Sequence, residues 1–203
     1  MISLDKKLKE IKTSISKIIK LNDPTDKVIN KWKRPNGLVI KKVSTPIGVI
    51  GIIYESRPNV TIDAASLCIR SGNVSILRGG SECIETNKKL YECIQLALKD
   101  LNFNSYLVCL IQDTDRSYVQ ELLRAEGSVD VIIPRGGKSL IKTISENSKV
   151  PTLKHLEGIC HTIWDEGYDR ENAASVIINA KLRSKAPRIL PSASGWRAIP
   201  STA

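Results

Sequence analysis

Val49-Ile50-Gly51-Ile52-Ile53-Tyr54 is a continuous apolar run, too short for a core helix, and it decides the fold. Three further runs of this kind follow at residues 74–77, 106–111 and 129–134. Such runs are typical of strands that are covered on both faces. The stretches around them predict helices at about residues 60–71, 83–100, 115–126 and 137–147. Because parallel strands require crossover helices, we expect an α/β fold with a doubly wound, mostly parallel sheet and a nucleotide-binding topology.

The two ends of the chain differ from this central body. Residues 2–21 predict an N-terminal amphipathic helix, because their apolar residues recur at steps of three and four. We expect this helix to pack on its own domain; binding to a membrane surface and coiled-coil pairing are the alternatives. Residues 169–183 predict a last helix, and residues 184–203 hold three prolines and no acidic residue, which is typical of an irregular, disordered tail.

We therefore predict three segments. Residues 1–42 form the N-terminal helix and a basic lead-in, residues 43–183 form a Rossmann-like nucleotide-binding domain, and residues 184–203 form a divergent tail. Residues 1–42 carry a net charge of +8 and residues 181–203 of +5, whereas residues 43–180 carry −3. The total of +10 would suggest an acidic partner such as nucleic acid or an anionic membrane. A net-negative body argues against a continuous phosphate-tracking groove, and the whole chain has only 4% aromatic residues for stacking, so nucleic acid is disfavoured as a partner.

The cysteines predict neither disulfides nor a zinc site. There are five, an odd number without a Cys-x-x-Cys pair: Cys68, Cys83, Cys93, Cys109 and Cys160. We expect them to be reduced and mostly buried. His155 and His161 flank Glu157 and Cys160 at spacings that match no standard metal or protease arrangement, so no metal site is predicted.

The sequence also predicts a cytoplasmic location. The first ten residues are interrupted by charges, unlike the apolar core of a secretory signal. No run approaches the roughly 20 apolar residues that span a bilayer. We therefore expect no membrane association.

Pro134-Arg135-Gly136-Gly137-Lys138-Ser139 joins the last predicted strand to a helix. Glycines at such a turn let backbone N–H groups approach an anion, and the helix N-terminus adds a favourable partial charge. A P-loop would need glycine five residues before Gly137, where this chain has Ile132. The segment therefore indicates either an anion-binding turn of another kind or a tight turn with a solvated lysine.

A second turn of this kind is Leu77-Arg78-Gly79-Gly80-Ser81-Glu82, which also follows an apolar run and opens a helix. If a dinucleotide lies across the carboxyl edge of the sheet, Arg78 beside the Ser81 hydroxyl would suit a 2′-phosphate, which favours NADP over NAD. Glu82 argues against a phosphate. The G-x-G-x-x-G fingerprint is absent, so any dinucleotide site is of a different kind.

The segment after the first predicted strand, Tyr54-Glu55-Ser56-Arg57-Pro58-Asn59-Val60, carries a candidate catalytic amide. Pro58 stiffens the exit from the strand, and Asn59 could donate to a developing oxyanion. Taken alone, an asparagine after a proline is more often a turn former or a helix N-cap.

Read together, these segments resemble the γ-glutamyl phosphate reductase family, with blocks in that family's order and spacing from about residue 5 to Arg183. The blocks are Arg34–Leu38, Pro46–Val60, Ser71–Asn73, Leu77–Glu82, Ile132–Lys138, Glu157–His161 and Asn179–Lys181. The resemblance implies the aldehyde dehydrogenase superfamily fold with an NADP-binding domain at residues 43–183. It also implies a role in proline biosynthesis, in which NADPH reduces γ-L-glutamyl phosphate to glutamate 5-semialdehyde and phosphate is released.

The resemblance also suggests roles for individual residues. Asn59 matches the superfamily's oxyanion-stabilising asparagine. In the family one segment faces the adenosine-ribose end of the cofactor, and it corresponds here to Arg78, Gly79, Gly80 and Ser81. A second turn faces the pyrophosphate, and it corresponds to Arg135, Gly136, Gly137 and the adjoining Lys138.

The chain departs from the family after Arg183. In the family a cysteine thiolate displaces phosphate from the acyl phosphate, and the thioester is then reduced by hydride. That cysteine would fall near position 188, which is Arg188 here, and no cysteine follows Cys160. The catalytic domain that should follow is not recognisable. Since losing such a nucleophile typically costs several orders of magnitude in rate, we expect this chain alone to be inactive.

Three hypotheses follow from this departure. The chain is a truncated, inactive remnant of the reductase, such as a pseudogene product. Alternatively, a separate C-terminal fragment supplies the cysteine and completes a split enzyme. A third alternative is a non-catalytic nucleotide-binding module.

Overall fold

A computed structural model describes residues 4–55, 57–154, 167 and 169–182. The chain divides into two compact units, Met1–Lys154 and His155–Ala203. In the first unit the strands are β1 (Val28–Lys33), β2 (Val39–Val43), β3 (Val49–Tyr54), β4 (Val74–Arg78), β5 (Val108–Leu110) and β6 (Val131–Arg135). Its helices are α1 (Leu4–Ile19), α2 (Pro58–Arg70), α3 (Ile84–Asp100), α4 (Ser117–Leu123) and α5 (Lys138–Asn147).

The one regular element described in the second unit is helix α6 (Arg170–Leu182). Asp169 precedes this helix, and its carboxylate accepts a hydrogen bond of 2.8 Å from the backbone N–H of Asn172. Such a side chain satisfies one of the N–H groups that the first turn of a helix leaves unpaired. The predicted tail, residues 184–203, lies outside the described residues.

Four parallel strands form the main sheet, in the order β5-β4-β3-β6. The chain moves outward from β3 through β4 to β5 and then returns to the other side of β3 to form β6. The strand order therefore reverses between β3 and β6. In open α/β sheets this reversal leaves a crevice at the carboxyl ends of the two strands, where ligands bind.

Helices cover both faces of this sheet, as the apolar runs predict. One core cluster joins Ile52 and Leu77 to residues of α2 and α3, including Ala65 and Leu98. A second cluster on the opposite face joins strand residues such as Ile132 to α4 and α5. The α/β fold with a doubly wound parallel sheet is thus confirmed.

Side chains hold the amino end of β3 in register. Asn73, which is buried, accepts hydrogen bonds through Oδ1 from the backbone N–H groups of Ile47 (2.6 Å) and Gly48 (2.9 Å). The Asp130 carboxylate accepts from the N–H of Val49 at 2.7 Å. A Cβ at Gly48 would overlap that carboxylate, and the backbone there has φ +122°, so both space and conformation require glycine. The entry of β3 is thereby tied to the loops that precede β4 and β6.

The N-terminal segment differs in part from the expected helix and lead-in. Helix α1 forms and lies against α2, where the Ser14 hydroxyl donates to the Asp63 carboxylate at 2.6 Å. Residues 28–43, however, form an antiparallel β1–β2 hairpin that was not expected from the sequence pattern. Most of its large apolar side chains, including Ile29 and Trp32, are exposed. Within the described residues, no helix has the length and apolar character needed to cross a membrane.

Candidate cofactor site

The candidate site lies at the carboxyl edge of the main sheet, where two glycine turns follow β4 and β6. In the register of the sheet, Ile53 of β3 faces Arg78 of β4, and Tyr54 faces Arg135 of β6. Since neighbouring strands lie about 4.8 Å apart, the two turns begin roughly 10 Å from each other, on either side of β3. The topology therefore brings together the two Arg-Gly-Gly turns singled out in the sequence.

The turn after β6 presents the N-terminus of α5 to the crevice. Gly137 caps this ten-residue helix in an extended conformation (φ −70°, ψ 171°), and Lys138 is its first residue. A Cβ at Gly136 would lie 2.7 Å from the Glu55 carboxyl group and from a Leu140 methyl group, so this position admits no side chain without a shift. The side chains of Arg135 and Lys138 are exposed.

A carboxylate from β3 occupies the N-terminus of α5. Glu55, the first residue after β3, accepts a hydrogen bond of 2.8 Å through Oε2 from the backbone N–H of Gly137. Its own N–H donates to the carbonyl of Arg135 at 3.1 Å. A carboxylate at this position is stabilised by the unpaired N–H groups and the dipole of the helix. An anionic ligand bound there would compete with Glu55.

The turn after β4 is held by Arg78 itself. Its Nη1 donates to the carbonyl of Gly79 at 2.6 Å, and its Nη2 donates to the carbonyl of Thr114, in the β5–α4 loop, at 2.9 Å. Its buried Nε has no hydrogen-bond partner in the described part of the chain. Arg78 therefore ties two loops of the carboxyl edge together, and each Nη keeps a second N–H. Ser81 lies exposed at the start of a short 3₁₀ turn, Ser81–Cys83.

A buried chain of hydrogen bonds lies beneath this turn. The Tyr54 hydroxyl lies 2.7 Å from the Thr61 hydroxyl, which donates to Oδ1 of Asn87 at 3.1 Å. A Cβ at Gly79 would overlap the Asn87 amide and come within 3.1 Å of the Tyr54 ring. Burial raises the pKa of Tyr54 above its ordinary value, so this hydroxyl stays protonated at neutral pH.

Asn59 lies in the first turn of α2, as its second residue, rather than at the N-cap, which is Arg57. Its side chain is exposed, and Nδ2 donates to the Asp63 carboxylate at 3.3 Å, one turn further along the helix. One amide hydrogen is thus directed to Asp63, while the other has no partner in the described part of the chain. Asn59 follows the same strand as Glu55, but it belongs to the start of α2 rather than to either glycine turn.

The described cysteines differ in their burial. Burial raises the pKa of the Cys68 thiol to about 11 and also raises the pKa of Cys109, so neither is a thiolate at neutral pH. Cys93 is exposed on α3, and Cys83 ends the 3₁₀ turn after β4. Among the described residues, no group of three or more His, Cys, Asp or Glu side chains could hold a metal ion. Cys160, His155, His161 and Glu157 lie outside the described residues.

Sequence reasoning missed three residues of this site. Glu55 could have been found as a charged residue directly after a buried strand, at the edge where ligands bind. Asn87 is a polar residue on the apolar side of α3, and such residues often have a specific partner. Thr114 gave no signal, because it contributes only its backbone carbonyl.

No family model matches the chain, but individual proteins of known name are similar to it in sequence. Two curated γ-glutamyl phosphate reductases are similar to it: the protein from Colwellia psychrerythraea is 42% identical, over 89% of this chain and 43% of the relative. The protein from a Nitratiruptor species is 48% identical, over 88% of this chain and 43% of the relative.

Solved structures agree with the sequence relatives. The crystal structure of γ-glutamyl phosphate reductase from Thermotoga maritima matches with a TM-score of 0.79 and 43% identity, over 88% of this chain and 43% of the other. A glyceraldehyde-3-phosphate dehydrogenase from Methanocaldococcus jannaschii, solved in complex with NADP, matches with a TM-score of 0.58 and 20% identity, over 83% and 36% of the two chains. The latter likeness shows the fold alone. The chain spans less than half the length of these relatives, and by sequence and fold it belongs to the γ-glutamyl phosphate reductase family.

Proposed function

We propose that this chain is the NADP-binding portion of a γ-glutamyl phosphate reductase and that it does not complete the reduction by itself. The observation that carries the proposal is the strand order, which sets the turn after β6 in the crevice beside β3 and the turn after β4 on the far side of β3. The relatives are named for the reduction of γ-glutamyl phosphate, and a more distant structure of the same fold was solved with NADP.

The residues at the carboxyl edge fit a dinucleotide. Gly136 has no room for a side chain, and Gly137 lies at the N-terminus of α5, so the backbone can approach a pyrophosphate there. The buried Nε of Arg78 has no partner among the residues that the structure describes, and Ser81 is exposed beside the same turn. We propose that Arg78 and Ser81 hold the 2′-phosphate and that Arg135, Gly136, Gly137 and Lys138 face the pyrophosphate. Gly79 and Gly80 shape the first of these turns. The bound cofactor would supply hydride.

Asn59 is the catalytic group that we propose for this chain. The amide hydrogen of Asn59 that is not directed to Asp63 would donate to the oxygen that gains charge when the acyl carbon becomes tetrahedral. The thiol nucleophile is the missing component. Cys68 is buried, with a pKa of about 11, and the sequence after Cys160 contains no cysteine. Without a thiolate no thioester forms, so the chain alone is expected not to release phosphate or aldehyde.

Two measurements on the purified chain test this proposal. Titration with NADPH, followed by nicotinamide fluorescence, should show saturable binding, and incubation with γ-glutamyl phosphate should leave NADPH absorbance unchanged. Absence of binding would overturn the cofactor assignment, and turnover would overturn the proposed inactivity. Lys138→Ala should weaken binding, whereas Lys142→Ala, one turn further along α5 and exposed, should not.

A second candidate is one half of a split reductase. The chain covers 43% of its curated relatives, and its β1–β2 hairpin exposes large apolar side chains that a further chain could cover. Mixing this chain with a separately produced polypeptide that carries the family's cysteine-containing region should restore NADPH oxidation. No gain over either component alone would reject this candidate.

A further inference from the structure

A buried amide nitrogen without a partner lies beneath the turn that follows β4. Asn87 on α3 is 0% exposed, and within the described residues its Nδ2 has no hydrogen-bond acceptor. Leaving a buried donor unpaired costs free energy, and the hydrogen bond that Oδ1 of Asn87 accepts from Thr61 leaves Nδ2 without a partner. The bond to Thr61 therefore accounts for the amide oxygen but not for the amide nitrogen.

The amide takes part in a chain of hydrogen bonds with α2 and β3. The Thr61 hydroxyl donates its single proton to Oδ1 of Asn87, so it accepts from the Tyr54 hydroxyl. Oδ1 of Asn87 is thereby directed towards α2, and Nδ2 is directed towards Gly79. The Asn87 amide occupies the space that a side chain at position 79 would take.

Gly79 in turn determines the position of Arg78. The carbonyl of Gly79 accepts from Nη1 of Arg78 at 2.6 Å, and the same guanidinium reaches Thr114. A shift of Gly79 would therefore move the cation that closes the turn. A continuous series of contacts links the buried amide to this guanidinium.

We infer that Asn87 is a positioning residue for the 2′-phosphate subsite, acting through Gly79 on the Arg78 guanidinium. The inference rests on the proposed NADP-binding function. Asn87 itself touches no ligand, because its side chain is fully buried. Its effect should therefore appear as a change in selectivity for the 2′-phosphate rather than as a uniform loss of nucleotide binding.

The experiment uses the full 203-residue chain and three probes: NADPH, 2′,5′-ADP and 5′-AMP. Asn87→Ser keeps a hydroxyl near Thr61 but removes the amide from beneath Gly79. We expect at least fivefold weaker binding of 2′,5′-ADP and of NADPH, with binding of 5′-AMP within twofold of the unmodified chain. Asn87→Leu, which fills the space without polar groups, should give the same loss of selectivity.

Ser75→Ala is the matched control. Ser75 is also 0% exposed, lies on β4, and has a buried hydroxyl without a partner in the described structure, but it lies four residues before Gly79. The Ser75→Ala variant should bind all three probes with the affinities of the unmodified chain. Thermal unfolding, followed by circular dichroism, checks that each variant has a cooperative transition.

Each result is decisive. An unchanged ratio of 2′,5′-ADP to 5′-AMP affinity in both Asn87 variants overturns the inference while leaving the proposed function intact. Equal weakening of both probes also overturns it, because that result indicates a general structural role. If the unmodified chain does not bind NADPH, the proposed function fails and the inference fails with it. If one variant does not fold, the other supplies the ratio, and loss of folding in both assigns Asn87 to structure and overturns the inference.

Discussion

Glu55 and Gly137 meet across the carboxyl ends of β3 and β6, where the Glu55 carboxylate accepts a hydrogen bond of 2.8 Å from the Gly137 N–H. The two residues are 82 positions apart in the chain. The backbone N–H that we propose to face a pyrophosphate is therefore already paired with an anion of the protein. Under the proposed assignment, the pyrophosphate would compete with this carboxylate for the Gly137 N–H.

Neutralising Glu55 should tighten NADPH binding. Glu55→Gln removes a negative charge beside the proposed pyrophosphate position, and we expect an affinity gain of roughly threefold to tenfold at low salt, less at high salt. Fluorescence titration at two salt concentrations measures it. Glu92→Gln, the same change at an exposed position on α3, should have no effect. Weaker binding by Glu55→Gln would show instead that the carboxylate holds the turn after β6 in a conformation that binds the cofactor.

Replacing Arg78 should reduce the preference for the phosphorylated cofactor. Arg78→Met keeps much of the apolar stem but removes the guanidinium, and charge-assisted hydrogen bonds contribute about 1.5–3 kcal/mol. The ratio of NADPH to NADH affinity should therefore fall about tenfold or more. Arg124→Met, which removes an exposed arginine at the end of α4, should keep the ratio. An unchanged ratio in Arg78→Met would assign Arg78 to loop structure alone.

Adding one methyl group at Gly79 should destabilise the fold. A Cβ there would overlap the Asn87 amide and approach the Tyr54 ring, both of which are buried. Overpacking of this kind costs about 1–3 kcal/mol, so Gly79→Ala should unfold at lower urea concentration. Gly137→Ala is the comparison, since its Cβ would meet nothing closer than 3.7 Å. Equal stability of the two variants would contradict the packing described for Gly79.

Asn73 should contribute to stability through the two N–H groups that it satisfies. Asn73→Ala leaves Ile47 and Gly48 without their acceptor and should cost about 1–3 kcal/mol in urea unfolding. Asn147→Ala, which removes an exposed amide on α5, should change stability by no more than about 0.5 kcal/mol. A small effect at Asn73 would mean that water replaces its side chain at no cost.

Stability should fall as the pH rises above about 9. The folded chain raises the pKa of the Cys68 thiol from 9.0 to about 11, so folding favours the protonated form. Below pH 9 the thiol is protonated in both states, and this contribution is fully present; between pH 9 and 11 the unfolded chain releases the proton first, and the contribution is lost. Urea midpoints at pH 8, 9, 10 and 11 measure the slope.

Two cysteine variants identify the source of this slope. Cys68→Ala should be less stable at pH 8 but should show a shallower decline towards pH 11. A residual decline is expected, because burial also raises the pKa of Tyr54 and Cys109. Cys93→Ala, at an exposed position, should retain the full slope. The same slope in all three proteins would exclude Cys68 as its source.

The buried strands were predictable because burial on both faces leaves a continuous apolar run. The first run coincides with β3, Val49–Tyr54. The third run predicts residues 106–111, but Tyr106 and Leu107 belong to a 3₁₀ turn and β5 begins at Val108. Helix α4 is likewise shorter than the predicted 115–126. It runs from Ser117 to Leu123, and a turn follows.

The β1–β2 hairpin was missed because neither of its strands has a buried face. Val28–Lys33 mixes apolar and charged residues, and all six are exposed. The Asn36-Gly37 pair was the available signal, since this dipeptide favours the positive φ of tight hairpin turns, and Gly37 has φ +88°.

The candidate site was predictable only in part. Both glycine turns follow apolar runs, and the parallel topology brings them to one edge. The partners of these turns could not be predicted, because Glu55 lies 82 positions from Gly137, and Thr114 lies 36 positions from Arg78. Such pairs depend on the strand order, which the hydrophobic pattern leaves undetermined. The predicted domain limits and the roles of the site residues remain predictions.

The placement of β6 has a consequence for synthesis on the ribosome. Strand β3 lies between β4 and β6, and the Asp130 carboxylate that holds its first N–H group belongs to the segment just before β6. A growing chain therefore carries β3 with one edge unpaired until about 80 more residues have been translated, which at the usual pace of elongation takes about 4–16 seconds. During that interval Ile53 lacks the part of its core cluster that β6 supplies, such as Ile132. The nascent polypeptide is therefore most exposed to aggregation and to chaperone capture before its sixth strand emerges.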